Sequence, residues 1–568
     1  MSRTTNRLAC AAAVLLAATC SAQTPPSLQT LTGSIRTERS TNARLLVWAM
    51  RLQTLADGTA RRPSKPEIFA ASQHTEMFVA SDSSYSLKLA TGSYCVFAFA
   101  DENDNGRWDP AEPEALGSYA RRPAGRFDVV SIGEKDVGGI DLTLKAPRHI
   151  PLGTRSMPGG TLTRIKGIPV LQLSGGSHTR GFAHGKLVAA QIVDFFRFYI
   201  LEDKMRSAEA YESGFAKFLN THFAYPEPFV TECKAVIEGM RASGQNLMIP
   251  ELGREFSLTD LYALNGYIET RAMRSSCTQF AAWGPRTEST DVDGGMVTGR
   301  NMDGEVDIRK VTVSHFLLFA VDPAEPDQKR YVSMMWPGFV ATISGINEDG
   351  FYTMENAGLT GPGKVVDRLV PISWTMRETL AKLGADTTPA PLQSFVDRYD
   401  NSAGGVSGPG CIMLFATPFR GQKTPAFVLE GDRFGDAIRR AAEAAPRVPN
   451  VLVCSNHHRK YGVDPQRPGL VFGKKPSFSS VWRYEAGMHK LESWDRIDRR
   501  IGTPEMQELL QAVAHGTTEY SIITRPNKVE FDVAVASMKP EPWDAPYRKW
   551  TTFRFDDVFA AKVPSKAK

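Results

Sequence analysis

Ser275-Ser276-Cys277-Thr278-Gln279-Phe280 is followed downstream by Gly299-Arg300-Asn301-Met302-Asp303. A thiol becomes a strong nucleophile only as the thiolate, which near neutral pH needs a base or a cationic neighbour. The Arg-x-x-Asp element downstream offers a cation and a carboxylate. No histidine lies close in sequence: His178 and His184 are upstream, and His457 and His458 follow Asn456. A backbone amine can serve as the base instead, but only if the Ser276-Cys277 bond is cut and Cys277 becomes a chain terminus.

The start of the chain points to export. Arg3 and Arg7 precede the apolar run 8–18, and Cys20-Ser21-Ala22 supplies small residues before Gln23, which reads as a signal peptide over 1–22. A lipoprotein cut before Cys20 is disfavoured, because Ala17-Ala18-Thr19 lacks the usual leucine. No later stretch reaches the ~18 apolar residues of a membrane helix, so the expected location is secreted or periplasmic. The formal charge of +5 over 568 residues has no Lys/Arg block, which argues against nucleic acid as a partner. Cys10 and Cys20 belong to the signal region. That leaves Cys95, Cys233, Cys277, Cys411 and Cys454, an odd number in an oxidising compartment. All but Cys277 sit in apolar segments and read as core.

A chain of this length exceeds one core. Residues 28–146 carry short alternating runs such as Tyr94-Cys95-Val96-Phe97-Ala98-Phe99, separated by Gly, Ser and Asp turns, and predict a small β-sandwich. Pro147, Pro151, Pro158, Gly159 and Gly160 mark 147–164 as a linker. A second domain over 165–545 opens with a strand at 168–173, in which Pro169 suits a strand start or an edge. Helical spacing then runs to about 243, through Phe195, Phe196, Phe198, Ile200, Phe229, Cys233, Val236, Ile237 and Met240, and resumes at 260–265. Runs at 310–319 and 451–454 read as strands. The plan is α/β or α+β.

Within the β module, Asp101-Glu102-Asn103-Asp104-Asn105-Gly106-Arg107-Trp108-Asp109-Pro110-Ala111-Glu112 fits a twelve-position calcium loop. Its donors would be the side chains of Asp101, Asn103, Asn105, Asp109 and Glu112 and the carbonyl of Arg107, with Gly106 at the sharp turn. An Asp/Asn-rich turn without metal is the alternative.

Ser177-His178 with Gly181-Phe182-Ala183-His184-Gly185, Cys277-Thr278, Gly299-Arg300-Asn301-Met302-Asp303, Gly345-Ile346-Asn347-Glu348-Asp349-Gly350 with Asn356, Ser455-Asn456-His457 and Ser479-Ser480-Val481-Trp482-Arg483-Tyr484 follow one another in a familiar order. In this order the chain resembles the acyl-coenzyme A:6-aminopenicillanate acyltransferase-like family of N-terminal-nucleophile hydrolases, related to bile-salt and penicillin V hydrolases. The resemblance spans about 165–545. It implies an αββα sandwich made as a precursor that cuts itself before Cys277, with the freed α-amine as base. It further implies Asp303 beside that amine, Arg300 supporting the thiolate, Asn356 and Asn456 holding the oxyanion, and Arg483 as a further active-site arginine. Ser276, Gly304 and His458 depart from the family pattern. The implied activity is hydrolysis of a linear amide, or acyl transfer from an amide or thioester, on a small-molecule substrate. No cofactor is expected for catalysis, and calcium would be structural. The competing readings are a non-catalytic secreted binding protein with a calcium-stabilised β module, and a single-chain Cys/His hydrolase.

Overall fold

The computed structural model describes residues 27–37, 42–61, 67–68, 71, 78–80, 83–101, 104–108, 117–118, 128–145, 148–267, 276–304, 309–362, 369–390, 392, 410–441, 447–514, 516–537 and 544–559. The expected signal peptide over 1–22 lies outside them. In the N-terminal part, strand Leu28–Thr37 pairs with Ser84–Ala90 and Leu142–Leu144, and a second sheet is centred on Arg44–Arg51 and Gly92–Asp101. Period-two alternation gives the second sheet two apolar faces. Val47, Val96 and Ala98 meet Leu31, Ile35, Tyr85 and Leu87 from the first sheet, while Trp48, Phe97 and Phe99 pack with Trp108 on the other side. This is a small β-sandwich.

The rest is built on two larger sheets. One has ten strands and includes β1 (Ile168–Gly175); the other has six and includes β2 (Ser276–Ala282) and β3 (Val297–Asp303). The ten-stranded sheet also contains β4 (Leu317–Pro323) and β5 (Tyr352–Ala357), and the six-stranded sheet contains β6 (Val451–Cys454). Helices α1 (Ser177–Phe195), α2 (Glu227–Arg241), α3 (Leu258–Gly266) and α4 (Ile372–Lys382) lie with the ten-stranded sheet; α5 (Phe478–Arg496) and α6 (Thr503–Ala512) cover the six-stranded one. Alternation along β2 shows why four layers form. Cys277 and Ala281 belong to the core shared by the two sheets, and Phe280 and Ala282 to the core under α5 and α6. Each of the two sheets is covered on both faces, so the architecture is an αββα sandwich.

The boundaries differ from those read off the sequence. Arg155–Met157 and Gly160–Ile165, inside the expected linker, are strands of the ten-stranded sheet. Pro158 and Gly159 make the turn between them, Gly159 at φ +83°, so these residues mark a tight turn within the sheet and not a domain edge. The six-stranded sheet runs past 545 to Thr551–Arg554. Segment 310–319 divides into a helical turn, Arg309–Thr312, and the start of β4. Nor is β1 an edge: it pairs antiparallel with Gly160–Ile165 and parallel with β4. Pairing to β4 begins at Val170, so the missing N–H of Pro169 lies before that ladder.

The Gly181 and Gly185 positions of α1 are explained by its crossing with α2. A Cβ on Gly185 would sit 1.9 Å from the Val236 carbonyl oxygen, and one on Gly239 of α2 would sit 2.0 Å from the Phe182 carbonyl oxygen. Only glycine permits so close an approach of two backbones. The contact is locked by a buried ion-pair set in which Arg180 of α1 (3.4 Å) and Arg377 of α4 (2.7 Å) share Glu232 of α2. Gly185→Ala is therefore expected to destabilise the protein by about 1–3 kcal/mol, read as a lower denaturant midpoint. Gly214→Ala, whose Cβ meets nothing within 4 Å, should leave the midpoint unchanged or slightly higher.

Candidate active site

Antiparallel pairing of β2 with β3 sets Ser276 opposite Asp303, Cys277 opposite Met302 and Gln279 opposite Arg300. Cys277, Arg300, Asp303 and Asn356 are all fully buried. The Arg300 side chain donates from Nη2 to Cys277 Sγ at 3.4 Å, and from Nη1 to the Ile343 carbonyl at 2.7 Å and to Ser344 Oγ. Thr518 Oγ1 donates to Asp303 Oδ1 at 2.6 Å.

The other face of the site comes from three different segments. Asn456, just past β6, accepts the Cys277 main-chain N–H on Oδ1 at 2.8 Å, and the same oxygen accepts Arg483 Nη2 at 2.8 Å. Arg483 Nη1 donates to the Cys277 carbonyl at 2.5 Å and to Thr278 Oγ1 at 2.6 Å. Asn356 Nδ2 donates to the Ser455 carbonyl at 3.1 Å and to the Cys277 carbonyl at 3.4 Å, and its Oδ1 accepts from Gln279 Nε2. Asn456 Nδ2 spends one N–H on the Ala357 carbonyl at 2.8 Å. Among the described residues its second N–H meets no acceptor. The position of Arg483 follows from the start of α5, where Ser477 Oγ caps the Ser480 N–H at 3.2 Å and the arginine falls one turn further on. Thus Cys277, Arg300, Asp303, Asn356, Asn456 and Arg483 converge on one point.

Burial pushes the Cys277 thiol above its ordinary value; the Arg300 charge opposes this, and the carboxylates of Asp303 and Glu355 add to it. In the intact chain the thiol is therefore protonated at neutral pH and needs a base. Neither histidine considered as a base reaches it. His178 is exposed and bonds Glu238 at 2.9 Å, and His457 is held by Ser480 Oγ at 2.7 Å and Ser455 Oγ at 3.0 Å, with burial pulling it down to about 4. His184 is buried beneath the sheet and accepts the Gly338 N–H at 3.0 Å. His458 is buried against Tyr461 and Phe472.

Several participants had not been singled out in the sequence. Gln279 was within reach, since it lies two residues beyond Cys277 on the same strand face. Ser480 stood inside the quoted Ser-Ser-Val-Trp-Arg-Tyr run, and its hydroxyl accepts the Asn456 N–H at 2.8 Å. Ser344 carries no local signal, because only sheet stacking brings it to Arg300, and Tyr520 reaches Arg300 from the neighbouring strand of the same sheet, Thr518–Arg525. Glu355 precedes Asn356 and is 4% exposed; among the described residues its Oε2 has no hydrogen-bond partner.

Of the six calcium-loop residues, Asp101, Asn105 and Arg107 are described, and Asn103, Asp109 and Glu112 lie outside the described residues. Asp101 Oδ2 accepts from Arg44 at 2.6 Å and from the Gly106 N–H at 3.0 Å, and its Oδ1 accepts the Asn105 N–H at 3.1 Å. Gly106 makes the sharp turn at φ +73°.

No family model and no curated protein matches the sequence. Among solved structures, the chain overlaps a Caenorhabditis elegans ortholog of N-acylethanolamine-hydrolyzing acid amidase at 15% identity, covering 44% of this chain and 93% of that one with a TM-score of 0.30. It overlaps a mutant of conjugated bile acid hydrolase from Clostridium perfringens at 10% identity (49% and 96% covered, TM-score 0.30). Penicillin V acylase from Agrobacterium tumefaciens overlaps at 10% identity (49% and 91% covered, TM-score 0.27). Likeness at this level carries no weight for the chemistry, which is read from the side chains around Cys277. No described helix is long and apolar enough to cross a membrane.

Burial raises the Glu355 carboxyl to about 7, against which the nearby Arg300 charge pulls down. With the folded value above the unfolded 4.5, the folded state binds the proton more tightly. Its destabilising effect is absent below about pH 4.5, grows as pH rises, and is complete above about pH 7, at a size on the order of 3 kcal/mol. Glu355→Gln should therefore unfold at the same denaturant concentration as wild type near pH 4.5 and at a higher one near pH 8. A pH-independent difference would overturn the assignment.

Proposed function

We propose that this chain is an exported cysteine amidohydrolase or acyltransferase that cuts itself between Ser276 and Cys277 and then attacks a small-molecule amide or thioester. The observation that supports it best is the pair of contacts on one residue: Arg300 on the sulfur, and Asn456 on the nitrogen that would become the α-amine. In the first step Sγ adds to the Ser276 carbonyl carbon, the C–N bond to Cys277 breaks, the nitrogen takes up the proton, and water releases the thioester. The freed amine has a reference pKa of about 7.7–8.0, which suits a base near neutral pH. Asp303, opposite Ser276, would hold that amine, and Asn456 already accepts a hydrogen from the same nitrogen.

In the second step the Cys277 thiol passes its proton to the amine and adds to the substrate carbonyl. Arg300 supports the sulfur's negative charge, and the second N–H of Asn456 is the donor for the oxyanion. The amine returns the proton to the leaving group, and water or an amine acceptor takes the acyl group from sulfur. The resemblance in motif order favours this chemistry over the non-catalytic reading. The engagement of His178 with Glu238, and of His457 with Ser455 and Ser480, favours it over a Cys/His pair.

Denaturing mass analysis of the purified protein should give two fragments meeting at Ser276/Cys277. Cys277→Ala should give one chain, and Asn456→Ala should slow turnover by about 10²–10³, the usual worth of an oxyanion donor. An intact, active wild-type chain would sink the amine-as-base mechanism. For the 101–112 loop, calcium binding is likewise a proposal, supported by the donor spacing and the Gly106 turn. Calcium should raise the melting temperature of the full chain and a chelator should reverse it, with Asp101→Asn abolishing the response; an unmoved melting temperature in wild type argues for a plain turn.

A further inference from the structure

The Arg300 guanidinium owes its position to a turn that the segment before Cys277 holds. The Arg300 side chain is fixed by the Ile343 carbonyl and Ser344 Oγ, at the end of the connection from residue 336 into the strand Ser344–Asn347. The 338–341 turn in that connection is gripped from the leading segment. His184 of α1 accepts the Gly338 N–H on Nε2 at 3.0 Å, and Asn265 of α3 donates to the Gly338 carbonyl at 2.9 Å. Asn265 Oδ1 also accepts the N–H groups of Val340 at 2.8 Å and Ala341 at 3.1 Å, while its second Nδ2–H goes to the Leu261 carbonyl at 2.9 Å. Both side chains are buried, and the amide of Asn265 is fully satisfied. Gly338 has φ +89° and packs on Leu264 and Ile192 of the same two helices, so the turn has no room for another residue there. Two amides and one carbonyl in four residues would be stranded in the core without Asn265, each at a cost that leaves the turn free to shift.

We propose that Asn265 and His184 are positioning residues for the nucleophile: by holding the 338–341 turn they set the Ile343 carbonyl and Ser344 hydroxyl that place Arg300 on the Cys277 sulfur. The leading segment would then be a standing part of the active site after the bond at Cys277 is cut, as well as before. This deepens the proposed function and rests on it for the cut state; the grip on the turn belongs to the intact chain already.

The test uses full-length protein. Asn265→Asp is nearly isosteric, but it removes both Nδ2 donors and sets a carboxylate against the Gly338 carbonyl. Self-cleavage at pH 7 should slow at least tenfold, and the midpoint of its pH profile should move up, because the thiolate loses Arg300. His184→Gln keeps an acceptor for the Gly338 N–H and should retain the wild-type midpoint, whereas His184→Leu should move it as Asn265→Asp does. A folded Asn265→Asp or His184→Leu protein with an unmoved midpoint overturns the proposal. Should both fail to fold, hydrogen exchange in wild type decides: the Gly338, Val340 and Ala341 amides must stay protected after cleavage, and loss of that protection overturns it. A wild type that does not cleave counts against the proposed function alone. The rate of Cys277 alkylation by iodoacetamide in the intact variants then decides, with the same order expected.

Discussion

A guanidinium enclosed between two β-sheets, with no carboxylate in ion-pair contact among the described residues, is the constraint around which this molecule is arranged. Arg300 is fully buried, and its partners are a carbonyl, a hydroxyl, the face of Tyr520 at 6.0 Å and a thiol. Burying a charge among neutral groups is costly unless its hydrogen bonds are met. Here the deficit is an asset, since the partner bonded to the guanidinium that most readily becomes an anion is the sulfur. The same charge that the fold tolerates poorly alone makes ionised Cys277 far less costly than burial would otherwise allow. The two sheets must stack at the right offset for this, because Arg300 comes from one sheet and Ile343 and Ser344 lead into the other.

Much of this was legible in the sequence where the relevant information is local. Strand alternation at 94–99 and helical spacing at 229–240 each describe one element, and both were visible without neighbours. Motif order points to Cys277 and five further residues, Arg300, Asp303, Asn356, Asn456 and Arg483, which the structure gathers around it. What escaped was of two kinds. Turn residues looked like breaks between domains, so Pro158 and Gly159 hid a hairpin of the main sheet. Groups that meet Arg300 only through stacking, such as Ser344 and Glu355, leave no trace in spacing, because their partner is dozens of residues away in the opposite layer. The helical turn at Arg309–Thr312 shows the remaining difficulty: a short apolar run is compatible with either period until tertiary packing selects one.

The glycines of α1 make a related point about motifs. Gly181 and Gly185 belong to a sequence pattern associated with chemistry, yet their own role is steric: they let α2 approach closely enough for Glu232 to pair with Arg180 and Arg377 across three helices. His184, between them, is spent on the main chain of a turn. A motif can thus accompany a reaction because it builds the platform beneath the reacting groups.

The placement of β1 has a kinetic side. This strand, from before the nucleophile, lies inside the ten-stranded sheet and pairs in parallel with β4, from after it. Such a pairing forms within one molecule only while the connection through residues 176–316 is whole. A chain severed at Ser276–Cys277 would keep its shape but lose its route back, since closing β1 onto β4 after denaturation would need two pieces to find each other at their bulk concentration rather than at the high effective concentration of a tether. Its persistence would be set by how slowly it unfolds, so a single peptide bond would turn an equilibrium fold into a kinetically held one.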